Sequence, residues 1–299
     1  MSLKSIFTTL KNEGYVIPTL DRYLLSLNAE DSNRAPNVNA PSQAGNDCLR
    51  ARYYSRTKTQ ADSNTIEPRT RRIFDNGTKV HERLQAYLAE QGILMMEEVP
   101  VLDIDLNIQG HTDGIIKLSK NERAVLEIKS INSHGFSSLK DARADHKKQG
   151  LVYLYCLEKR RLYLKKKYPT WDSFQEDAPA RSRIHAERYQ HLKDGSKYTK
   201  AEKVSFQLRL HEKVDAILYL TREPITKVVF LYENKDTQDL KEYVVDSSSA
   251  ESKVTLDALV EDYVTLNKCV EDGELPDRLG VNKSDPVCRW CNYRVECWG

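Results

Sequence analysis

No apolar run in this sequence approaches the ~18 consecutive residues that a membrane-spanning helix needs. The opening stretch, MSLKSIFTTLKNEGY, has two lysines but no continuous apolar segment and no small-residue cleavage site, so it does not read as a secretory signal. Charge of one sign is also lacking. Lys and Arg number 46 against 44 Asp and Glu, a net of +2, so whole-molecule charge does not point to a polyanionic partner. There is no internal repeat, and no G-x-x-x-x-G-K-[ST] loop of the kind that cradles nucleotide phosphates in ATP-driven motors. These absences lead to the expectation of a soluble, cytoplasmic protein without a motor of its own, in the host cytoplasm if viral. Thiols stay reduced there, so Cys48, Cys156, Cys269, Cys288, Cys291 and Cys297 read as ligands or buried thiols rather than disulfides.

The 299 residues are 39% hydrophobic and 30% charged, an ordinary globular balance, long enough for one large domain or two small ones. The basic residues are unevenly spread. Residues 159–203 hold thirteen Lys or Arg against six Asp or Glu, and residues 50–83 hold nine against four. Such stretches serve either as solvated helix surface or as a footprint for phosphates.

Residues 1–28 carry helical spacing, with Leu3, Ile6, Phe7 and Leu10 and then Leu20, Tyr23, Leu24 and Leu27. Residues 29–46 are rich in Asn, Ser, Pro and Gly and read as an exposed loop, and 57–68 as another polar stretch. Helices are expected at 48–54 and at 70–90, the latter closed by Gly92. Segments 94–102, 106–118 and 123–130 read as an antiparallel meander. A long helix is expected at 138–167, and a mobile, partly helical insertion at 168–204. Strands at 214–220, 227–232 and 242–246 then return to the sheet, before a helix at 256–271 and a cysteine-rich tail.

The most informative peptide is VLEIKS, 125–130. Side chains alternate along a strand, so Glu127 and Lys129 share one face while Leu126 and Ile128 share the other. The preceding GHTDGII places Asp113 on a neighbouring strand, about 4.8 Å away in the sheet. Two carboxylates that close repel unless a cation neutralises them, and a hard divalent ion suits oxygen ligands. His81, in NGTKVHERL, offers an imidazole, and Gln149 and Tyr153 lie four apart on one helical face. Taken alone, E-x-K on a strand is more readily a surface ion pair across a hairpin.

The series Gly77-x-x-x-His81, Gly110-x-x-Asp113, Glu127-x-Lys129 and Gln149-x-x-x-Tyr153 resembles the RecB-like branch of the PD-(D/E)XK nucleases. All positions match in order across residues 73–155; Thr112 rather than Pro precedes Asp113, a position where that branch varies. The resemblance implies that His81, Asp113, Glu127 and the backbone carbonyl of Ile128 hold Mg2+ or Mn2+. It implies that Lys129 is the catalytic lysine and that Gln149 and Tyr153 support substrate and metal. Exonuclease action on single-stranded DNA or frayed ends, alone or beside a helicase or integrase, follows from the resemblance only.

The tail, DPVCRWCNYRVECWG, holds a C-x-x-C pair, Cys288 and Cys291, with Cys297 following. Two sulfurs so spaced converge on one metal centre. Three clustered thiolates need a fourth ligand, and Cys48, in PSQAGNDCLRARYY, is the best candidate. Spacing alone leaves a four-cysteine zinc site open. One distant cysteine with a C-terminal cysteine triplet resembles the members of the branch that carry a [4Fe-4S] cluster, and that is the expectation adopted. Cys156 and Cys269 read as core thiols.

The expected fold is α/β, a restriction-endonuclease-like mixed central sheet flanked by helices, with a cysteine lobe joining the two termini. Within one nuclease domain the parts are an N-terminal helical part (1–70), a catalytic core (71–167), a charged insertion (168–204), sheet completion (205–279) and the cluster segment (280–299). Lys165, Lys166, Lys167, Arg181, Arg183 and Arg188 are candidates for the rim of a DNA channel. A metal-stapled DNA-binding module without catalysis, and an RNA nuclease, are the alternatives.

Overall fold

The computed structural model of the chain describes residue 14 and residues 16–29, 37–57, 65–195, 197–280 and 282–299. The helical spacing read at Leu3, Ile6, Phe7 and Leu10 lies outside the described residues. Helix α1 is Val16–Ser26, α2 is Leu49–Arg56 and α3 is Pro68–Glu90. Strands β1 (Leu94–Asp103), β2 (Ile108–Lys117) and β3 (Arg123–Ile131) follow, then α4 (Ser133–Ser138), α5 (Ala144–Lys167), α6 (Trp171–Glu176), α7 (Ala178–Arg188) and α8 (Lys200–Leu220). Strands β4 (Lys227–Asn234) and β5 (Leu240–Asp246), helix α9 (Ala250–Asp272) and two short turns, α10 (Pro286–Arg289) and α11 (Arg294–Trp298), complete it.

The five strands form one mixed sheet in the order β1-β2-β3-β4-β5. Every neighbouring pair is antiparallel except β3 and β4, which run parallel with Glu127 opposite Phe230 and Lys129 opposite Tyr232. A parallel pair needs a long crossover, and α4 to α8 supply it. Val125, Phe230 and Tyr232 bury one sheet face against Leu151, Leu154 and Leu157 of α5 and Val214 and Leu218 of α8. Leu126, Ile128 and Val229 bury the other against Val80 and Leu84 of α3. The alternation read from VLEIKS is therefore realised, with the aliphatic pair under α3 and the polar pair facing α5. Gly150 lets α5 lie close on the sheet: a Cβ there would stand 2.7 Å from Phe230 and 2.9 Å from Val228.

Three elements differ from expectation. Residues 214–220 are the last turns of α8, not a strand. Val214 and Leu218 recur at four residues and are both buried, and the helix is started by a capping box in which Thr199 and Glu202 serve each other's backbone. That helical period overrides the β-propensity of the branched residues. The helix expected at 138–167 begins only at Ala144; residues 133–138 form the separate α4, whose Asn132 side chain accepts the N–H of Gly135. Residues 168–204 are packed rather than loose. Phe174, Arg181, His185 and Tyr189 are all buried, and Asp215 on α8 holds Arg160 at 2.8 and 2.6 Å, with Arg181 3.4 Å away. Among the described residues no helix is long and apolar enough to cross a membrane.

Candidate active site

The site forms where β2 and β3 separate. Their pairing runs from Lys117 opposite Arg123 to Gly114 opposite Leu126 and stops there. Beyond that point side chains replace the ladder: Asp113 Oδ2 accepts the Ile128 N–H at 2.5 Å, and Thr112 Oγ1 donates to the Leu126 carbonyl at 2.8 Å. The splay leaves a cleft of about 1070 Å³, lined by His81 and Gln85 of α3, Asp113 of β2, and Ile128 and Lys129 of β3. His81 Nδ1 lies 3.1 Å from Asp113 Oδ1, and Gln85 donates to the Asp113 carbonyl at 2.8 Å. One face of α3 thus steers Asp113 from both its side chain and its backbone.

On the α5 side Lys129 Nζ donates to Glu127 Oε1 at 2.7 Å and to Gln149 Oε1 at 3.1 Å, and Gln149 Nε2 donates to Tyr153 Oη at 2.7 Å. Gln149 and Tyr153 are both buried. They form a relay behind the lysine and hold its ammonium beside Glu127. The chain from Tyr153 to Glu127 is a continuous series of hydrogen bonds in which the only ion pair is the buried one.

The electrostatics are those of a cation-seeking site. Burial, and then the charge of Asp113, push the Glu127 carboxyl up to about 7 despite the Lys129 ammonium beside it. Burial works against charging His81, yet the Asp113 hydrogen bond and the charges of Asp113 and Glu127 raise its imidazole above the ordinary value. Tyr153 is held well above a free phenol by burial and by Glu127. The side chains are turned to N–H donors: among the described residues no three His, Cys, Asp or Glu groups close on one point as a finished metal site. The donor types suit a hard divalent ion: His81, Asp113 and Ile128 line the cleft, and Glu127 is buried just behind it with the Lys129 ammonium standing where a cation would compensate it.

Further carboxylates line the cleft, among them Glu98. Glu98 of β1 has φ of +49°, left-handed backbone in mid-strand. It lines the same cleft, and its carboxyl is raised by burial and by Asp113 while Gln85 hydrogen-bonds it. Its neighbour Glu97 lines the same cleft.

Cys48, Cys288, Cys291 and Cys297 line one small cavity with Arg50, Tyr54, Arg278 and Trp298. All four thiols are free and half-buried. The Cys291 thiol is pushed up by burial and by the charges of Cys48, Cys288 and Cys297. Cys48 is the N-cap of α2, which is tied to the chain's far end: Arg50 Nε donates to the Pro276 carbonyl at 2.6 Å, Arg52 pairs with Asp262 at 3.2 Å, and Tyr54 rests on Tyr293. Four sulfurs around one cavity suit a sulfur-ligated centre by their chemistry. Cys156 is fully buried with its thiol pushed far up, an inert core group, whereas Cys269 is only half-buried.

The basic candidates lie elsewhere. Gln149 and Lys166 are seventeen residues apart on α5, about 25 Å at 1.5 Å per residue. Lys167 pairs with Asp177 at 2.8 Å, Arg188 donates to Asn107 at 3.2 Å, and Arg181 is buried against the Phe174 ring. Lys165, Lys166, Lys167, Arg181, Arg183 and Arg188 are all absent from the cleft lining. A buried guanidinium cannot form a rim, and the basic surplus of 159–203 is spent in part on internal pairs.

No protein-family model matches the chain, and no curated protein matches it either. Among solved structures, SSO0001 is similar with a TM-score of 0.44 and 16% identity, over 95% of this chain and 96% of that one. The alkaline exonuclease LHK-Exo from Laribacter hongkongensis is similar with a TM-score of 0.42 and 9% identity, over 84% of this chain and 95% of that one. Likeness at this level carries no chemistry across, which rests on the side chains above.

Proposed function

We propose that the chain is a metal-dependent nuclease that hydrolyses DNA phosphodiesters, using Mg2+ or Mn2+ held by His81, Asp113, Glu127 and the Ile128 carbonyl. The observation that carries this reading is that His81, Asp113 and Lys129 meet at one cleft from three different elements, with Glu127 buried behind Lys129 and pushed up to about 7 by burial and by the charge of Asp113. When bound, the cation would polarise the phosphodiester and lower the pKa of a water. The chain's own groups do the rest. Lys129, fixed on a rigid strand between Glu127 and Gln149, orients the attacking water or meets charge developing on the phosphoryl oxygens. Gln149 and Tyr153 position that lysine. Asp113 is held by Ile128 and Gln85, so its carboxylate is set before substrate arrives.

End-directed action on single-stranded DNA is the form proposed, on the family resemblance, with a separate helicase or integrase as a fitting partner. The four-cysteine cavity is proposed to hold a structural [4Fe-4S] cluster. The test is cleavage of end-labelled single- and double-stranded DNA, and of RNA, with and without Mn2+, by anaerobically purified protein. Asp113→Ala and Glu127→Ala should each abolish cleavage while leaving the fold intact. Near-normal cleavage by either variant refutes the assignment, and RNA cleavage in preference to DNA refutes the substrate class.

A further inference from the structure

Toward the N-terminal half of α3 the cleft wall changes character. Ile73 and Phe74 line the same cleft as His81 but are 40% and 57% exposed. With 3.6 residues per turn, Phe74, His81 and Gln85 fall on one stripe of the helix, with Gly77 and Thr78 between them. Gly77 is the telling residue. It sits in the interior of a 23-residue helix, it is not among the residues with positive φ, and a Cβ built on it would meet nothing within 4 Å. Glycine weakens a helix interior relative to alanine, and neither backbone geometry nor packing within the described residues requires it here. The space it leaves opens into the cleft.

Lys235 also lines that cleft. Among the described residues it makes no close ion pair; its charge acts on neighbouring Asp236, which accepts the Ser133 N–H and Oγ at 2.8 Å. One cleft therefore offers an exposed aromatic ring, a gap beside it, the Lys235 ammonium and the Asp113 carboxylate.

We propose that this wall is a subsite for one nucleotide of a single strand: the Phe74 ring, backed by Ile73, stacks on a base, the backbone crosses α3 at Gly77, and Lys235 takes a phosphate. The proposal rests on the nuclease reading of the site. Phe74 and His81 are seven residues apart, about 10 Å along the helix. That is about three stacked-base steps of ~3.4 Å and fewer in an extended strand, so the stacked base lies within three nucleotides of the bond at the carboxylates. Every base has a π-face, so the subsite reads no sequence. It selects unpaired strands instead, because a base inside a duplex is already stacked on both sides.

The test uses the full chain carrying Glu127→Gln to block cleavage, and a labelled 12-mer single-stranded DNA in a series with one abasic site moved along it. At one position the abasic site should weaken binding by about 5- to 150-fold, the range for losing one base–aromatic stack. Adding Phe74→Ala should weaken binding of the intact strand by a similar factor and abolish the penalty at that position, while Phe74→Trp should preserve both. Equal penalties at every position, or an unchanged profile in Phe74→Ala, would overturn the subsite. So would unchanged DNA affinity combined with a change in the mass of the free protein by light scattering, which would make the ring a contact between protein chains. The unmutated chain with Mn2+ on the same 12-mer tests the nuclease reading separately: if it does not cleave while the position-specific penalty stands, that reading fails and base stacking does not.

Discussion

Replacing Gly77 by alanine should make the protein more stable and less active at once. The position is the tenth of the helix's 23 residues, where φ is not positive and nothing lies within 4 Å of the added methyl. The gain is the helix propensity difference, about 1 kcal/mol, with no strain to offset it. At ~2.1 cal/mol/K per residue the unfolding entropy of a 299-residue chain is about 0.6 kcal/mol/K, so the melting temperature should rise by about 1.5 °C. The methyl group points into the space proposed for the passing strand. A displacement of the scissile bond by about 1 Å costs as much as ~100-fold in rate, so cleavage of single-stranded DNA should fall by one to two orders of magnitude. Gly77→Leu, with comparable helix propensity and a longer reach, should fall further at similar stability. Thermal unfolding by calorimetry and turnover on end-labelled DNA make the comparison. A lower melting temperature in Gly77→Ala would show that the fold itself requires the glycine, and wild-type turnover in Gly77→Leu would show that no strand crosses there.

Asp215 gives a pH-dependent test. Burial pushes its carboxyl up, but His185 and Arg160 pull it down to about 2. Against an ordinary value near 3.9 that depression is worth about 2.5 kcal/mol of stability, present above about pH 4 and lost as pH falls toward 2. Asp215→Asn should therefore lower the urea midpoint at pH 7, and the gap to wild type should close between pH 4 and pH 2; a constant gap would refute the ion-pair account. Neutralising Lys165, Lys166 and Lys167 together should leave the salt dependence of DNA binding unchanged, because they lie about 25 Å along α5 from Gln149. A slope lower by about one per lost phosphate contact would return them to the DNA path. Anaerobic protein should carry four irons and four sulfides per chain, and Cys288→Ala should bleach and destabilise it, since the centre closes the loop from Cys48 to Cys288. Stoichiometric zinc without iron would replace the cluster with a zinc staple.

The local chemistry of the site was legible in the sequence. Period-two alternation placed Glu127 and Lys129 on one face and Leu126 and Ile128 on the other, and the four-residue spacing placed Gln149 beside Tyr153, as found. The three strands of the meander were legible too, because each is bounded by turn residues. Where helical and strand signals overlapped, at 214–220, the capping box seventeen residues upstream of Ala216 decided, and a short window could not weigh it. Which opposing element each face meets, and which charges pair, were not legible. Glu97 and Glu98 both line the cleft from β1, Glu98 with left-handed backbone, and Lys235 arrives there because the parallel pairing of β3 and β4 carries the end of β4 past Lys129. Arg181 looked like surface and is buried, since Asp215 and the Phe174 ring come from elements far from it or folded back over it. Sequence alone determined which residues share a strand or helix face, because those periods are set by the backbone. Which faces meet, which charges are consumed in pairs and which remain open to a ligand were decided by tertiary structure, because those depend on contacts between segments far apart in the chain, such as Arg83 with Glu233, 150 residues away, and Arg50 with Pro276, 226 away.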